Sequence, residues 1–213
     1  SLRHIQVAFC GYCYNIFMNS EKAPAIVPHE SLNSAVTESS YVPQETPRSC
    51  GIASILMARN LLLGVTCYPR TVTETLEIMQ KKGYKKEKLG STCSRDRKIL
   101  IDQLNEYQDV LMVHKVLDMP SESSEYFRQL EQVLNDGGIV LLGFKKPYFD
   151  LPKGMEVETS SKSSHGVVVH GFKKGQDGEI IFIVTDPEPK ITGYFGMNIE
   201  VSFEKLWESL SAR

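Results

Sequence analysis

A thiol at the start of an apolar helix sits where it can act as a nucleophile. The stretch VPQETPRSCGIASILMARNLLLG, Val42 to Gly64, has this form: Ser49 is the expected N-cap, Cys50 and Gly51 fall in the first turn, and Ile52, Ile55, Leu56, Arg59 and Leu62 recur at helical spacing. Unpaired backbone N–H groups and the helix dipole favour an anion there, which lowers a cysteine's pKa and makes the thiolate more available at neutral pH. Gly51 leaves room for a substrate backbone to approach. Gln44, six residues upstream, carries an amide that can donate to a developing oxyanion beside the Cys50 N–H, and Pro43 and Pro47 stiffen its loop. The competing reading is a small buried cysteine at a helix start, since free cysteine is among the most buried residue types. Nucleophilic chemistry requires a base.

The chain has five histidines, His4, His29, His114, His165 and His170. The first two lie in a front segment without other chemical signals, and His114 stands inside a strand pattern beside lysine. His165 and His170 share the run HGVVVHGF. After it comes KKGQDG, a turn by composition, and then EIIFIVTD. A turn centred between Gly175 and Gln176 sets His165 directly across from Asp186 and His170 across from Ile181. Opposed residues share a face with Cβ atoms about 5 Å apart, so a carboxylate can hold an imidazole. His170 then points to the other face. The expected set is Cys50 as nucleophile, His165 as base, Asp186 to fix the imidazole, and Gln44 with the Cys50 N–H for the oxyanion. It needs no metal and no organic cofactor.

The elements that must position these groups change character along the chain. HIQVAFCGYCYNIF carries Ile5, Ala8, Phe9, Tyr12, Cys13 and Ile16 at helical spacing and predicts a first helix; its CGYC is read as buried helix cysteines, because no second CxxC or CxxH completes a metal site. Residues 19–49 read as a long surface loop. Helical patterns follow at 50–63, 71–82 and 95–107, the first two closed by Gly64 and Gly83. VLMVHKV predicts a strand, residues 122–135 a helix ending at NDGG, and GIVLLGF, HGVVVHGF and EIIFIVTD three more strands; FEKLWESL is a last helix. Residues 145–164 look like a flap over a cleft. Helices first and strands later indicate an α+β domain with a mostly antiparallel sheet.

Composition narrows the function classes. In 213 residues, 24 Lys and Arg stand against 26 Asp and Glu, a net charge of −2 that calls for neither nucleic acid nor an anionic membrane. Runs such as LLLGV fall far short of the ~20 residues of a membrane span. Five cysteines, Cys10, Cys13, Cys50, Cys67 and Cys93, are an odd number, which fits a reducing compartment better than a disulfide scaffold.

At Gln44, Cys50, His165 and Asp186 the chain resembles papain-clan cysteine enzymes. The pattern Q-x5-C-G before a helix, HGVVVHGF on a strand and IVTDP on the next resembles the bacteriocin-processing peptidases and their broader relatives, which include the actin-maturation proteases. The resemblance covers residues 42–64 and 163–188 and implies Gln44 as oxyanion donor, Cys50 as nucleophile, His165 as base and Asp186 as third member. QETPRSCGIASILMARNLL, with Ala53 and Ser54 after the glycine, is also similar to the phytochelatin synthases, papain-fold transpeptidases that move a γ-glutamylcysteine unit between glutathione-type peptides. FEKLWESL resembles their final helix. Gly-Val-Val after His165, in place of a Ser-Pro pattern, and Pro187 after Asp186 favour the peptidases.

The expectation is one papain-like α+β domain over residues 1–213: an arm of helix and loop at 1–40, a helical lobe with Cys50 at 42–108, and a sheet lobe with His165 and Asp186 at 109–213. Its reaction is hydrolysis of a peptide or isopeptide bond through a thioester. The alternatives are an acyltransferase or transpeptidase, a glutamine deamidase, and, outside enzymes, an inert interaction module on the same scaffold. A protein or peptide is the expected substrate, with no nucleic-acid or membrane partner. The compartment is reducing, the cytoplasm or, for a secreted effector, a host cytosol.

Overall fold

The computed structural model describes residues 3–10, 36–46, 49–64, 66–84, 94–107, 110–117, 120–144, 165–188 and 196–211. The expected flap at 145–164, Cys13, His29 and Cys93 lie outside them. Among the described residues there are five α-helices and one six-stranded sheet. The order along the chain is β1 (Arg3–Cys10), α1 (Cys50–Leu63), α2 (Val72–Lys81), α3 (Ser94–Leu104), β2 (Val110–Leu117), α4 (Ser123–Asn135), β3 (Val140–Phe144), β4 (His165–Lys174), β5 (Ile180–Thr185), β6 (Ile199–Ser202) and α5 (Phe203–Ser211). A short 3-10 turn, Asn105–Tyr107, follows α3.

The sheet runs β2-β1-β3-β4-β5-β6. Strands β3 to β6 pair antiparallel, whereas β1 pairs parallel with both β2 and β3. The α+β class is therefore as expected, with a correction at the start. The predicted N-terminal helix is a strand as far as Cys10, inserted between two later strands. Ile5, Val7 and Phe9 alternate at the two-residue period of a strand as well as Ile5, Ala8 and Phe9 fit a helix turn, and pairing with β2 and β3 decides between the two.

The apolar pattern of β3 and β4 explains the layering. Leu141 and Val168 point into a core with α1, α2 and α3, while Val140, Leu142, Val167 and Val169 point into a second core with α4 and α5. A strand buried on both faces needs apolar residues in succession, and this is why VLL and VVV are unbroken. On α4, Tyr126, Leu130, Val133 and Leu134 form the single stripe that a helix lying on a sheet requires. Helix α1 is different: every residue from Cys50 to Leu61 is buried, because the sheet, α2, α3 and the segment 36–46 enclose it. Its one buried cation, Arg59, donates to the carbonyls of Cys67, Tyr68 and Pro69. Gly64, at φ 66°, ends the helix in the left-handed conformation that costs glycine least.

Residues 36–46 are a packed strap, not a surface loop. Val36 and Val42 enter the core, and Val36 exchanges two backbone hydrogen bonds of 2.9 Å with the side-chain amide of Asn198. The strap thereby runs from the β6 side of the sheet to the N-terminus of α1.

The β4–β5 hairpin departs from the expected register. Gly178, at φ 79°, takes the left-handed position of the turn, so Lys174 pairs with Ile180 and the loop centres on Asp177. A bulge then intervenes: Gly171 faces Ile183, but Val169 faces Val184, with His170 the extra residue. Beyond it Val168 faces Thr185, so Asp186 continues opposite Val167 and His165 is its diagonal neighbour. The expected register is off by two residues, which preserves the face; without the bulge His165 would stand on the wrong one.

Candidate active site

Three element ends meet at the site. Cys50 opens α1, His165 opens β4, and Asp186 follows directly on β5. Asp186 is buried, and its Oδ1 lies 2.7 Å from His165 Nε2. That leaves Nδ1 of the imidazole for the thiol, and Cys50 is hydrogen-bonded to His165. Burial alone would raise the Cys50 pKa. The hydrogen bond and charge of His165, the Gly166 N–H and the charge of Arg97 outweigh burial and bring it below the ordinary thiol value. Burial would likewise lower the His165 pKa, but its bonds to Asp186 and Cys50 and their negative charges drive it well above the usual imidazole value. Each shift favours the charged form of its group.

Helix α1 is fastened to β4 at this point. The Gly166 N–H donates to the Cys50 sulfur, and its carbonyl accepts from Ser54 Oγ at 3.1 Å, one helical turn further on. A Cβ on Gly166 would stand 3.7 Å from the Gly51 backbone, so the two glycines mark the close approach of helix and strand. Gly51 therefore packs on β4.

Ser49 occupies the N-cap position but does not cap. Its Oγ accepts from the N–H groups of Glu45 and Thr46 and donates to the Thr46 carbonyl, curling the loop before the helix. The hydroxyl thus serves the loop and not the helix terminus.

The loop brings Gln44 against Pro187 and Glu188. Its backbone N–H donates to the Pro187 carbonyl at 2.7 Å, and its buried side chain donates through Nε2 to Glu188 Oε2. Glu188 returns to the Asp186 carboxylate, its N–H 2.8 Å from Oδ1. Tyr41 Oη donates to the Asp186 carbonyl at 2.9 Å; burial, with the charges of Asp186 and Glu188, pushes the tyrosine pKa up to about 12. The Asp186 N–H donates to the Gly196 carbonyl at 2.6 Å.

All four residues singled out from sequence, Gln44, Cys50, His165 and Asp186, are joined through these bonds. His170 lies apart from them, buried, with Nε2 3.0 Å from Thr185 Oγ1. His4 is on β1 and His114 on β2. Sequence reasoning passed over Tyr41, Arg97, Gly166, Glu188 and Gly196. Of these, Gly166 and Glu188 carry a signal in hindsight, since each adjoins a singled-out residue or follows it by two positions. Arg97 stands in a charged run, SRDRK, that has no distinguishing pattern.

Helices thus lie on both faces of the sheet, Cys50 heads the central helix, and His165 and Asp186 pair where β4 begins and β5 ends. The chain belongs to the Peptidase_C39 like family, whose model matches residues 36–213. Its α+β architecture is consistent with a papain-like fold. No curated protein and no solved structure gives a significant match. Among the described residues no helix is long and apolar enough to cross a membrane.

Proposed function

We propose that this peptidase is of the cysteine type and cleaves a peptide or isopeptide bond through a thioester. The observation that carries the reading is the His165 imidazole held at 2.7 Å by Asp186 while hydrogen-bonded to Cys50. The Cys50 thiolate attacks the carbonyl carbon, and the negative charge moves to the oxygen beside the Cys50 N–H and Gln44. Collapse breaks the C–N bond as Nδ1–H of His165 protonates the departing amine. The neutral imidazole then takes a proton from water, whose oxygen attacks the thioester. Cys50 leaves as thiolate and the ion pair is restored. Asp186 keeps the ring in the orientation both transfers require. A free thiolate is needed throughout, which fits a reducing compartment.

The test is incubation of the protein and its Cys50→Ala variant with a cell lysate, followed by mass spectrometry of new peptide termini. Termini that require Cys50 are the expected result. A Cys50-dependent mass shift on an intact protein or on glutathione, without new termini, would transfer the reading to a deamidase or transpeptidase. No Cys50-dependent product of any kind would favour an inert module.

A further inference from the structure

Glu188 has no role in the reaction as written, yet it touches both halves of the machinery. Its backbone N–H donates to Asp186 Oδ1, and its carboxylate accepts from Gln44 Nε2. Both side chains are otherwise underused: Gln44 Oε1 and Glu188 Oε1 are buried and have no hydrogen-bond partner among the described residues. Unpartnered buried oxygens are costly, and they are the kind of local violation that gathers at functional sites.

A side-chain amide has two faces of opposite character. Among the described residues nothing on the oxygen side of Gln44 chooses between them, because Oε1 bonds to none of their groups. A carboxylate makes the choice, because it accepts and does not donate: it binds the NH2 end and repels the oxygen. One of the two N–H bonds is then anchored and the other remains free. We propose that Glu188 is a positioning residue that locks the Gln44 amide with nitrogen toward the site, so that its second N–H is preorganised for the oxyanion. The inference rests on the reading of Gln44 as an oxyanion donor. It makes Asp-Pro-Glu, Asp186 to Glu188, a single unit whose first residue orients the base and whose last orients the donor.

Glu188→Leu, which removes the acceptor, and Glu188→Gln, which keeps one, are compared in two assays. The first is the rate of Cys50 alkylation by iodoacetamide, which develops no oxyanion. The second is protection of Cys50 from that reagent by a peptide aldehyde, whose adduct does carry one. Glu188→Leu is expected to leave alkylation within twofold and to weaken aldehyde protection about tenfold, inside the roughly hundredfold or greater cost of losing a donor outright. Glu188→Gln, which can donate as well as accept and so no longer chooses between the two ends of the amide, is expected to recover only part of the loss. In a Gln44→Ala background, Glu188→Leu is expected to add nothing.

Equal aldehyde protection in the parent protein and Glu188→Leu would overturn the assignment while leaving the thiolate reading intact. So would a fall in the alkylation rate, which would mean that Glu188 acts through Asp186 and His165. An additive loss in the Gln44→Ala background would also refute it. Alkylation of Cys50 no faster than that of Cys67 in the parent protein would sink the underlying reading, and this inference with it.

Discussion

Replacing Gly196 by alanine is expected to disable the site without touching any group that meets the substrate. A Cβ added to Gly196 would lie 2.2 Å from the Asp186 carbonyl oxygen and 2.9 Å from its Cβ. Against the roughly 3.5 Å of an unstrained contact, the shortfall exceeds about 1 Å. Neither partner can give way cheaply, because the Asp186 N–H is bonded to the Gly196 carbonyl at 2.6 Å and the Asp186 carbonyl to Tyr41. A displacement of that size carries the 2.7 Å contact between Asp186 and His165 beyond hydrogen-bond range. Misplacement by about 1 Å costs on the order of a hundredfold in rate, or about 2.7 kcal/mol of activation free energy. Overpacking also removes about 1–3 kcal/mol of stability, so kcat/KM on a peptide cleaved in the Cys50-dependent manner is measured well below Tm. Gly175→Ala is the control: the three atoms nearest its added Cβ belong to the Glu179 side chain, which can rotate away. A folded Gly196→Ala protein within threefold of the parent rate would refute the claim that the backbone contact positions Asp186.

Two further predictions concern charge. The pH profile of Cys50 alkylation should show its acid limb below the ordinary thiol value, and Arg97→Met should move that limb upward because one of the positive charges favouring the thiolate is gone; an unmoved limb would show that Arg97 contributes nothing there. Burial lowers the His170 pKa from 6.5 to about 4, so between those values the unfolded chain binds a proton that the native one refuses, and stability falls as pH drops. From pH ~7.5 to ~5 this site alone removes about 2 kcal/mol; denaturant unfolding of the parent and of His170→Gln at both values should differ by that amount, and equal pH dependence would contradict it.

What the sequence disclosed follows from the range of the forces involved. Helices α1 and α2 are legible because Gly64 and Gly83 end them locally, and β3 to β5 because their apolar runs are long enough to stand out. Strand β1 is illegible because its residues satisfy both periods and its state depends on partners more than 100 positions away. Strand β6, of four residues, is too short to carry a pattern. The expected meeting of His165 with Asp186 rests on two offsetting departures, since the turn centres elsewhere and the bulge at His170, which the sequence does not announce, brings the pair back onto one face. Gln44 stands out by its place six residues before Cys50, but Glu188 as its hydrogen-bond partner does not, since a carboxylate after a proline looks like any surface acid. Ser49 shows the limit of motif reading: residue type and position fit a cap, and the hydroxyl nonetheless serves the preceding loop.

The bulge at His170 gives the site an unusual kind of inheritance. It shifts the phase of β4 by half a period, so whether His165 and Asp186 share a side of the sheet depends on whether the number of residues between them and the turn is odd or even. Side-chain replacements along the hairpin leave that parity alone. Loss or gain of a single residue reverses it and sends the imidazole to the opposite face, while a second change of one residue restores it. Apolar exchanges that keep the core filled therefore leave the pair together, but the machinery is closed to a single insertion or deletion within β4 between His165 and the turn.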